Sequence, residues 1–200
     1  MVNLKKGQNL VVLQKTVLAT AVATATALLA TVTAGLSWDV PTTGTVKYDV
    51  DTSVFLLKAD GKVESDADFV FYNNTSSPCG SVKHSGDNTT GLGDGIDESV
   101  TVDFTKVPES VEKIVFVVTI HGAKENNQNF GQVPKASIEI VNDSDKTQIA
   151  KYDLTEDSSG DTAVVIGEFY RYGEDWKFKA VGTGSEDGLE HFTALYGVNA

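Results

Sequence analysis

Residues 113–120 read Lys-Ile-Val-Phe-Val-Val-Thr-Ile, an almost continuous apolar run rich in β-branched side chains. Such a run is typical of a central β-strand that is buried on both faces. Shorter runs of similar character flank it, and Gly, Asn and Asp turns separate them. The further predicted strands are residues 52–57, 68–72, 98–104, 137–141, 148–152, 163–172 and 176–181.

A single helix is predicted near the end of the chain, over residues 187–196. Leu189, Phe192, Leu195 and Tyr196 recur there at helical spacing. Many short strands with one short C-terminal helix predict a mainly β protein, built as a two-sheet β-sandwich. Because no linker and no internal repeat divides the strands, residues 1–200 are predicted to form a single domain.

Composition and charge exclude several classes of protein. A net charge of −12 and a pI near 4.5 argue against nucleic acid as a partner, because phosphates would be repelled. The single Cys79 cannot form an intramolecular disulfide or supply a thiolate zinc site. An acidic protein attracts cations instead, so the distribution of its carboxylates decides whether a metal site is plausible.

The acidic residues are concentrated in one part of the chain. Residues 39–103 contain twelve Asp and Glu against four Lys and so carry −8 of the −12 net charge. Oxygen-bearing side chains cluster in residues 48–52, 66–74 and 86–98, and calcium takes six to eight oxygen ligands in proteins. Asp49 and Asp51 lie two apart on a predicted strand and should point to one face. A cation would relieve their repulsion, whereas the alternative is a solvated acidic surface.

Known calcium and catalytic motifs do not fit. Asp87 and Glu98 are spaced like the ends of an EF-hand loop, but Thr89, Gly91 and Leu92 stand where that loop requires acids and a glycine. No nucleophile context surrounds the three histidines, so no catalytic activity is expected. His121 is interpreted as structural and His191 as solvated; for His84, contact with the acidic loop and a surface position both stay open.

Several runs, in order and spacing, are similar to those of the TerD family of tellurium-resistance and bacterial stress proteins. They are DADFVFYNN (66–74), GSVKHSGDNTTGLGDGIDE (80–98), KIVFVVTIH (113–121), QNFGQV (128–133), AKYDLTED (150–157) and GEFYRYGEDWKFKAVG (167–182). The resemblance covers residues 2–13 and 35–200, and co-linear agreement of this length is more specific than any short motif.

The resemblance implies a calcium-binding β-sandwich without an enzymatic reaction, acting as a stress-response scaffold with Ca²⁺ as its cofactor. A cytoplasmic location is expected, with a membrane-associated or exported assembly as the alternative and membrane-associated stress proteins as conceivable partners. The implied calcium ligands are Asp49, Asp51, Asp68, Asn74, Asp87, Asn88, Asp94, Asp97 and Glu98.

This sequence departs from the family pattern at three positions near those ligands. Lys47 stands where the family usually has an acid, and Leu92 and Ile96 replace two carboxylates of the loop. Because the number of charged ligands helps set calcium affinity, one good site is expected, with a second weakened or missing.

Residues 16–36, TVLATAVATATALLATVTAGL, carry no charge and have no counterpart in the resemblance up to residue 34. A stripe of Ala at positions 19, 23, 27, 30 and 34 favours a helix over a strand by a narrow margin. Nine β-branched residues and the strict alternation of residues 19–27 favour a strand. Such an uncharged segment is either an extra element buried within the monomer or an interface between subunits. Because a domain of this size has little surface left to cover it, burial between subunits is favoured, and a homo-oligomer or filament assembled through residues 16–36 is the alternative function.

Overall fold

The computed structural model describes residues 9–10, 30–41, 47–92 and 95–199. Short, mostly β-branched segments form the strands, and Gly, Asn and Asp occupy the turns between them. The strands are β1 (Asn9–Leu10), β2 (Thr31–Ser37), β3 (Val50–Leu57), β4 (Phe69–Val70), β5 (Val82–His84), β6 (Glu98–Asp103), β7 (Lys113–Ile120), β8 (Ser137–Asn142), β9 (Gln148–Asp153), β10 (Ala163–Tyr172) and β11 (Asp175–Ser185). The α-helices are α1 (Ala123–Asn126), α2 (Leu154–Asp157) and α3 (Leu189–Tyr196).

The strands form two antiparallel sheets. One has six strands in the order β1-β11-β10-β7-β3-β4, and the other has five in the order β5-β6-β2-β8-β9. The sheets pack face to face around one apolar core that draws side chains from both. This arrangement confirms the prediction of a mainly β, two-sheet fold with a short C-terminal helix.

Strand β7 is buried on both faces, as its apolar run predicts. Ile114, Phe116 and Val118 belong to the core between the sheets. Val115 and Val117 point the other way, into a second cluster that contains Phe192 of α3. Burying each such side chain contributes about 1.5–3 kcal/mol. The C-terminal helix therefore covers the outer face of the six-stranded sheet and makes the unbroken apolar run necessary.

The uncharged N-terminal segment ends in a strand and not in a helix. Strand β2 lies in the centre of the five-stranded sheet, where it pairs with β6 on one side and β8 on the other. Val32, Ala34 and Leu36 alternate into the core and are completely buried.

The helix expectation is therefore wrong for residues 31–34. The β-branched side chains of Thr31, Val32 and Thr33 suit a pleated sheet, and pairing on both sides outweighs the helical spacing of the alanines. Val32, Ala34 and Leu36 serve the interior of the sandwich, whereas Thr31 and Thr33 lie half-buried on the other face of the sheet. Residues 16–29 lie outside the described part of the chain, so an oligomer formed through them stays a prediction.

The strand register brings two loops to one end of the sandwich. Asp51 pairs with Thr119 at the start of β3, while the loop between β5 and β6 returns to the sheet at Glu98, opposite Leu36. The backbone N–H of Thr52 donates to the carboxylate of Glu98 and so joins the two sheets at this end. In the described ranges, no helix is long and apolar enough to cross a membrane.

Candidate metal centre

Three carboxylates converge at this end of the sandwich. Asp49, Asp51 and Asp87 each offer one oxygen, and these oxygens lie within 4.8 Å of one another. Asp51 is the second residue of β3 and Asp49 directly precedes the strand, so their spacing of two places both on one face. Asp87 comes from the loop that follows β5. The structure thus brings together three of the predicted calcium ligands from two separate segments.

Burial and mutual repulsion make this cluster electrostatically unfavourable without a cation. Asp51 is only 5% exposed, and loss of solvation raises the pKa of its carboxyl from 3.8 to about 8, with Glu98, Asp49 and Asp87 adding repulsion. Burial is also the main cause of the raised pKa of Asp49, to which Asp87 adds and against which His121 acts. A divalent ion between these oxygens would restore their charged forms.

One carboxylate oxygen of Asp49, Oδ1, is buried without a hydrogen-bond partner in the described ranges, as a metal-ligating oxygen would be in the absence of its ion. A buried carboxylate oxygen without a donor costs free energy that coordination to a cation would recover. The donors are all oxygens, which suits a hard ion such as calcium. Asp49, Asp51 and Asp87 therefore fit the metal that the sequence implies.

Glu98 lies beside the cluster but is already engaged by backbone donors. Its side chain is completely inaccessible to solvent. Oε2 accepts from the N–H of Thr52 at 2.9 Å, and Oε1 accepts from the N–H of Asn88 at 3.2 Å. Glu98 thereby ties the loop that carries Asp87 to strand β3, and its charge adds to the negative field at Asp51.

Asn88 and Asp97 shape the same loop from within. The amide of Asn88 donates to Oδ1 of Asp97 at 3.1 Å, and its own Oδ1 accepts from the N–H groups of Thr90 and Gly91. Oδ2 of Asp97 accepts from the backbone of Trp38 at 3.0 Å. These two predicted ligands thus form hydrogen bonds within the loop and to the backbone of Trp38. Asp94, another predicted ligand, lies outside the described residues.

Asp68 and Asn74 serve local turns elsewhere. Oδ2 of Asp68 accepts from the backbone and hydroxyl of Ser65 and caps a short 3₁₀ turn. The amide of Asn74 donates to the carbonyls of Ala67 and Phe69. The register of β4 on β3 places Phe69 opposite Phe55, about 13 Å along the strand from Asp51. The structure therefore does not bring Asp68 to the carboxylate cluster, and it gives the amide of Asn74 a structural role.

His84 has a buried role that sequence reasoning left open. Its ring accepts at Nδ1 from the N–H of Gly86 at 3.0 Å, so the proton is on Nε2, which lies 3.0 Å from the carbonyl of Thr52. The only signal in the sequence was the alternation of Val82 and His84 with exposed Lys83 on β5. His121 is exposed and meets the ring of Tyr72 edge-on, while His191 is exposed on α3.

A TerD domain family model matches residues 1–196. The tellurium resistance protein TerD of Serratia marcescens is 53% identical over 166 residues, which cover 83% of this chain and 86% of that protein. General stress protein 16U of Bacillus subtilis (strain 168) is 47% identical over 171 residues, which cover 85% of this chain and 89% of that protein.

Solved structures agree with the fold. The crystal structure of a homologue of the telluride resistance protein TerD from Streptomyces coelicolor A3(2) superposes with a TM-score of 0.70 at 21% identity, covering 82% of this chain and 95% of that one. A protein of unknown function, SAV2460, gives a TM-score of 0.74 at 23% identity, covering 86% and 99%. From the family match and the sequence identities, the chain belongs to the TerD domain family of tellurium-resistance and stress-response proteins.

Proposed function

We propose that this protein is a calcium-binding, non-catalytic component of a stress response, with one calcium ion held by Asp49, Asp51 and Asp87. The observation that carries the proposal is the buried Oδ1 of Asp49, which has no hydrogen-bond partner in the described residues and lies within a cluster of three carboxylates. The names of its relatives, a tellurium resistance protein and a general stress protein, support the stress-response role.

Calcium is the cation that best suits these donors. Transition metals favour imidazole or thiolate ligands, whereas the three convergent groups are all carboxylates. Magnesium requires a near-ideal octahedron and retains several waters, while calcium tolerates irregular sets of six to eight oxygens. Three carboxylates supply up to six oxygens, and backbone carbonyls, water or a ligand would complete the shell.

A hydrolytic role receives little support from the surrounding side chains. Two histidines lie near the cluster, and one of them, His84, has both ring nitrogens engaged by backbone groups and no access to solvent. A general base must instead reach the proton that it removes. The other, His121, is exposed and donates its backbone N–H to the carbonyl of Asp49 at 2.8 Å, but among the described residues no hydrogen-bond partner orients its ring as a base. Binding is therefore the function proposed for the cluster.

The test is a thermal melt of metal-stripped protein in excess calcium, in excess magnesium and in EDTA. A ligand that binds only the folded state stabilises it by about 2.7 kcal/mol at a hundredfold excess over Kd. We expect a clear rise of Tm in calcium and a smaller one in magnesium. Superimposable melts in calcium and EDTA would refute calcium binding.

A further inference from the structure

Aliphatic side chains are exposed around the proposed calcium site. Among the described residues, five large hydrophobic side chains are exposed: Val40, Leu92, Ile96, Tyr172 and Leu195. Leu92 and Ile96 are the most exposed, at 71% and 63%, and both lie in the loop between Asp87 and Glu98. Val40 lies in the neighbouring loop, two residues after Trp38. Single exposed hydrophobic residues are ordinary, but two of the most exposed ones in the loop that carries Asp87 call for an explanation.

The loop between Asp87 and Glu98 packs against the buried side chain of Trp38, and Leu92 does not contribute to this packing. The indole of Trp38 is buried and donates to the carbonyl of Tyr48 at 3.2 Å, and Gly91 lies against it. Ile96 covers Gly35 on the outer face of the five-stranded sheet and still leaves most of its surface in water. The loop is thus packed through Trp38 while Leu92 and Ile96 are directed to solvent.

We propose that this end of the sandwich docks on an anionic phospholipid surface when calcium is bound. The inference rests on the proposed calcium site. Lipid phosphate oxygens would fill coordination positions that Asp49, Asp51 and Asp87 leave open. Leu92 and Ile96 would enter the apolar layer below the headgroups, where an aliphatic side chain gains free energy in proportion to the area it buries.

The charge of the protein makes this docking conditional on the ion. The net charge is −12, and the three clustered carboxylates repel a phosphate surface when no cation separates them. Lys47, exposed two residues before Asp49, adds a positive charge beside the site. Calcium therefore acts as a bridge and also reduces the repulsion at the cluster.

A lipid surface fits these features better than a protein partner. A stable protein interface buries about 800 Å² on each side. Two aliphatic side chains on one loop expose much less apolar area than that. Insertion into a bilayer needs only a few such side chains, because the membrane adapts to their shape and supplies the phosphate oxygens that calcium prefers.

The experiment is vesicle flotation of the full chain, with calcium melts of the same preparations. Vesicles of phosphatidylglycerol and phosphatidylethanolamine are compared with vesicles of phosphatidylcholine, each in calcium and in EDTA. We expect flotation only with the anionic vesicles in calcium. The double variant Leu92→Ser/Ile96→Ser should keep the calcium-induced rise of Tm and lose at least about tenfold in vesicle binding, since each side chain contributes at least that factor when buried.

Tyr172→Ser is the matched control, because Tyr172 is 62% exposed at the opposite end of the six-stranded sheet from Asp51. It should float as the parent does. A rise of Tm in calcium without flotation overturns the membrane inference alone, whereas no rise of Tm overturns the calcium site as well. Flotation in EDTA, or equal flotation of the double variant, also refutes the inference. Calcium-dependent self-association that needs Leu92 and Ile96 without vesicles would assign this surface to a second copy of the chain instead.

Discussion

Nε2 of His84 lies 3.4 Å from Oε2 of Glu98, and both side chains are completely excluded from solvent. The two groups meet at the backbone of Thr52, which donates its N–H to Glu98 and presents its carbonyl to His84. Strand β4 pairs with β3 only at Val54 and Phe55, so it does not reach Thr52. A histidine and a glutamate from the five-stranded sheet therefore replace the missing strand partner of the six-stranded sheet, directly beside Asp51.

His84→Phe should destabilise the fold by a few kcal/mol in calcium and in EDTA alike. The change leaves the N–H of Gly86 and the carbonyl of Thr52 without their partner, at about 1–3 kcal/mol for each buried group. Urea unfolding with linear extrapolation measures the loss. His191→Phe is the control, because His191 is exposed and its replacement should stay within about 0.5 kcal/mol. Equal stability of the two variants would contradict the bridging role.

Asp51→Asn and Asp87→Asn should each lower calcium affinity at least about tenfold, since each removes one charge next to the ion and keeps the shape of the side chain. Two controls should bind as the parent does. Asp145→Asn alters an exposed turn, where Oδ1 accepts from Thr147, and Asp68→Asn alters the turn capped at Ser65. Calorimetry gives the affinities. Weakened calcium binding in Asp68→Asn would show that Asp68 contributes to the site and contradict its purely local role.

The stability of the metal-free protein should fall as pH rises from about 4 to about 8. Burial raises the pKa of Asp51 from 3.8 to about 8, so in this range the folded protein retains a proton that the unfolded chain has released. The slope approaches about 1.4 kcal/mol per pH unit for one such group. Urea titrations in EDTA at several pH values test this, and Asp51→Asn should flatten the profile. If the free energy of unfolding of Asp51→Asn depends on pH as steeply as that of the parent, groups other than Asp51 determine the pH dependence.

The fold follows from sequence patterns wherever local preference and tertiary packing agree. Residues 113–120 are apolar without interruption because β7 faces the core on one side and α3 on the other. The helix prediction was wrong for residues 31–34 because it rested on the spacing of alanines, which is a local property. Their strand conformation depends on pairing with β6 and β8, and both of these strands lie far along the chain from β2.

Only part of the candidate site was predictable from the sequence, namely the part that depends on local spacing. Period-two spacing placed Asp49 and Asp51 on one face, as observed. Asp68 was grouped with them because it lies in an oxygen-rich segment and because the family resemblance implied it, although Ser65 three residues earlier forms the pattern of a capping box and gave a local reason for that carboxylate. For His84 the only local signal was its alternation with Val82 and Lys83, and its partners could not be predicted because the contacts with Thr52 and Glu98 join the two sheets.

Gly91→Ala should destabilise the protein more than Gly61→Ala and should also weaken calcium binding. Both glycines have a positive φ, +60° and +76°, so alanine costs about 1–2 kcal/mol at either position. A Cβ at Gly61 meets nothing within 4 Å, whereas one at Gly91 would lie 2.7 Å from Cδ1 of the buried indole of Trp38. Relieving that overlap must move either the indole, which is hydrogen-bonded to Tyr48, or the loop that carries Asp87. Overpacking of this kind adds about 1–3 kcal/mol.

Urea unfolding of both variants in EDTA measures the loss of stability, and the excess loss in Gly91→Ala over Gly61→Ala gives the cost of the overlap with Trp38. Calorimetry measures the calcium affinity, which falls if the loop that carries Asp87 is displaced. If the two variants lose the same stability and both retain full calcium affinity, the loop moves freely and Trp38 does not anchor it.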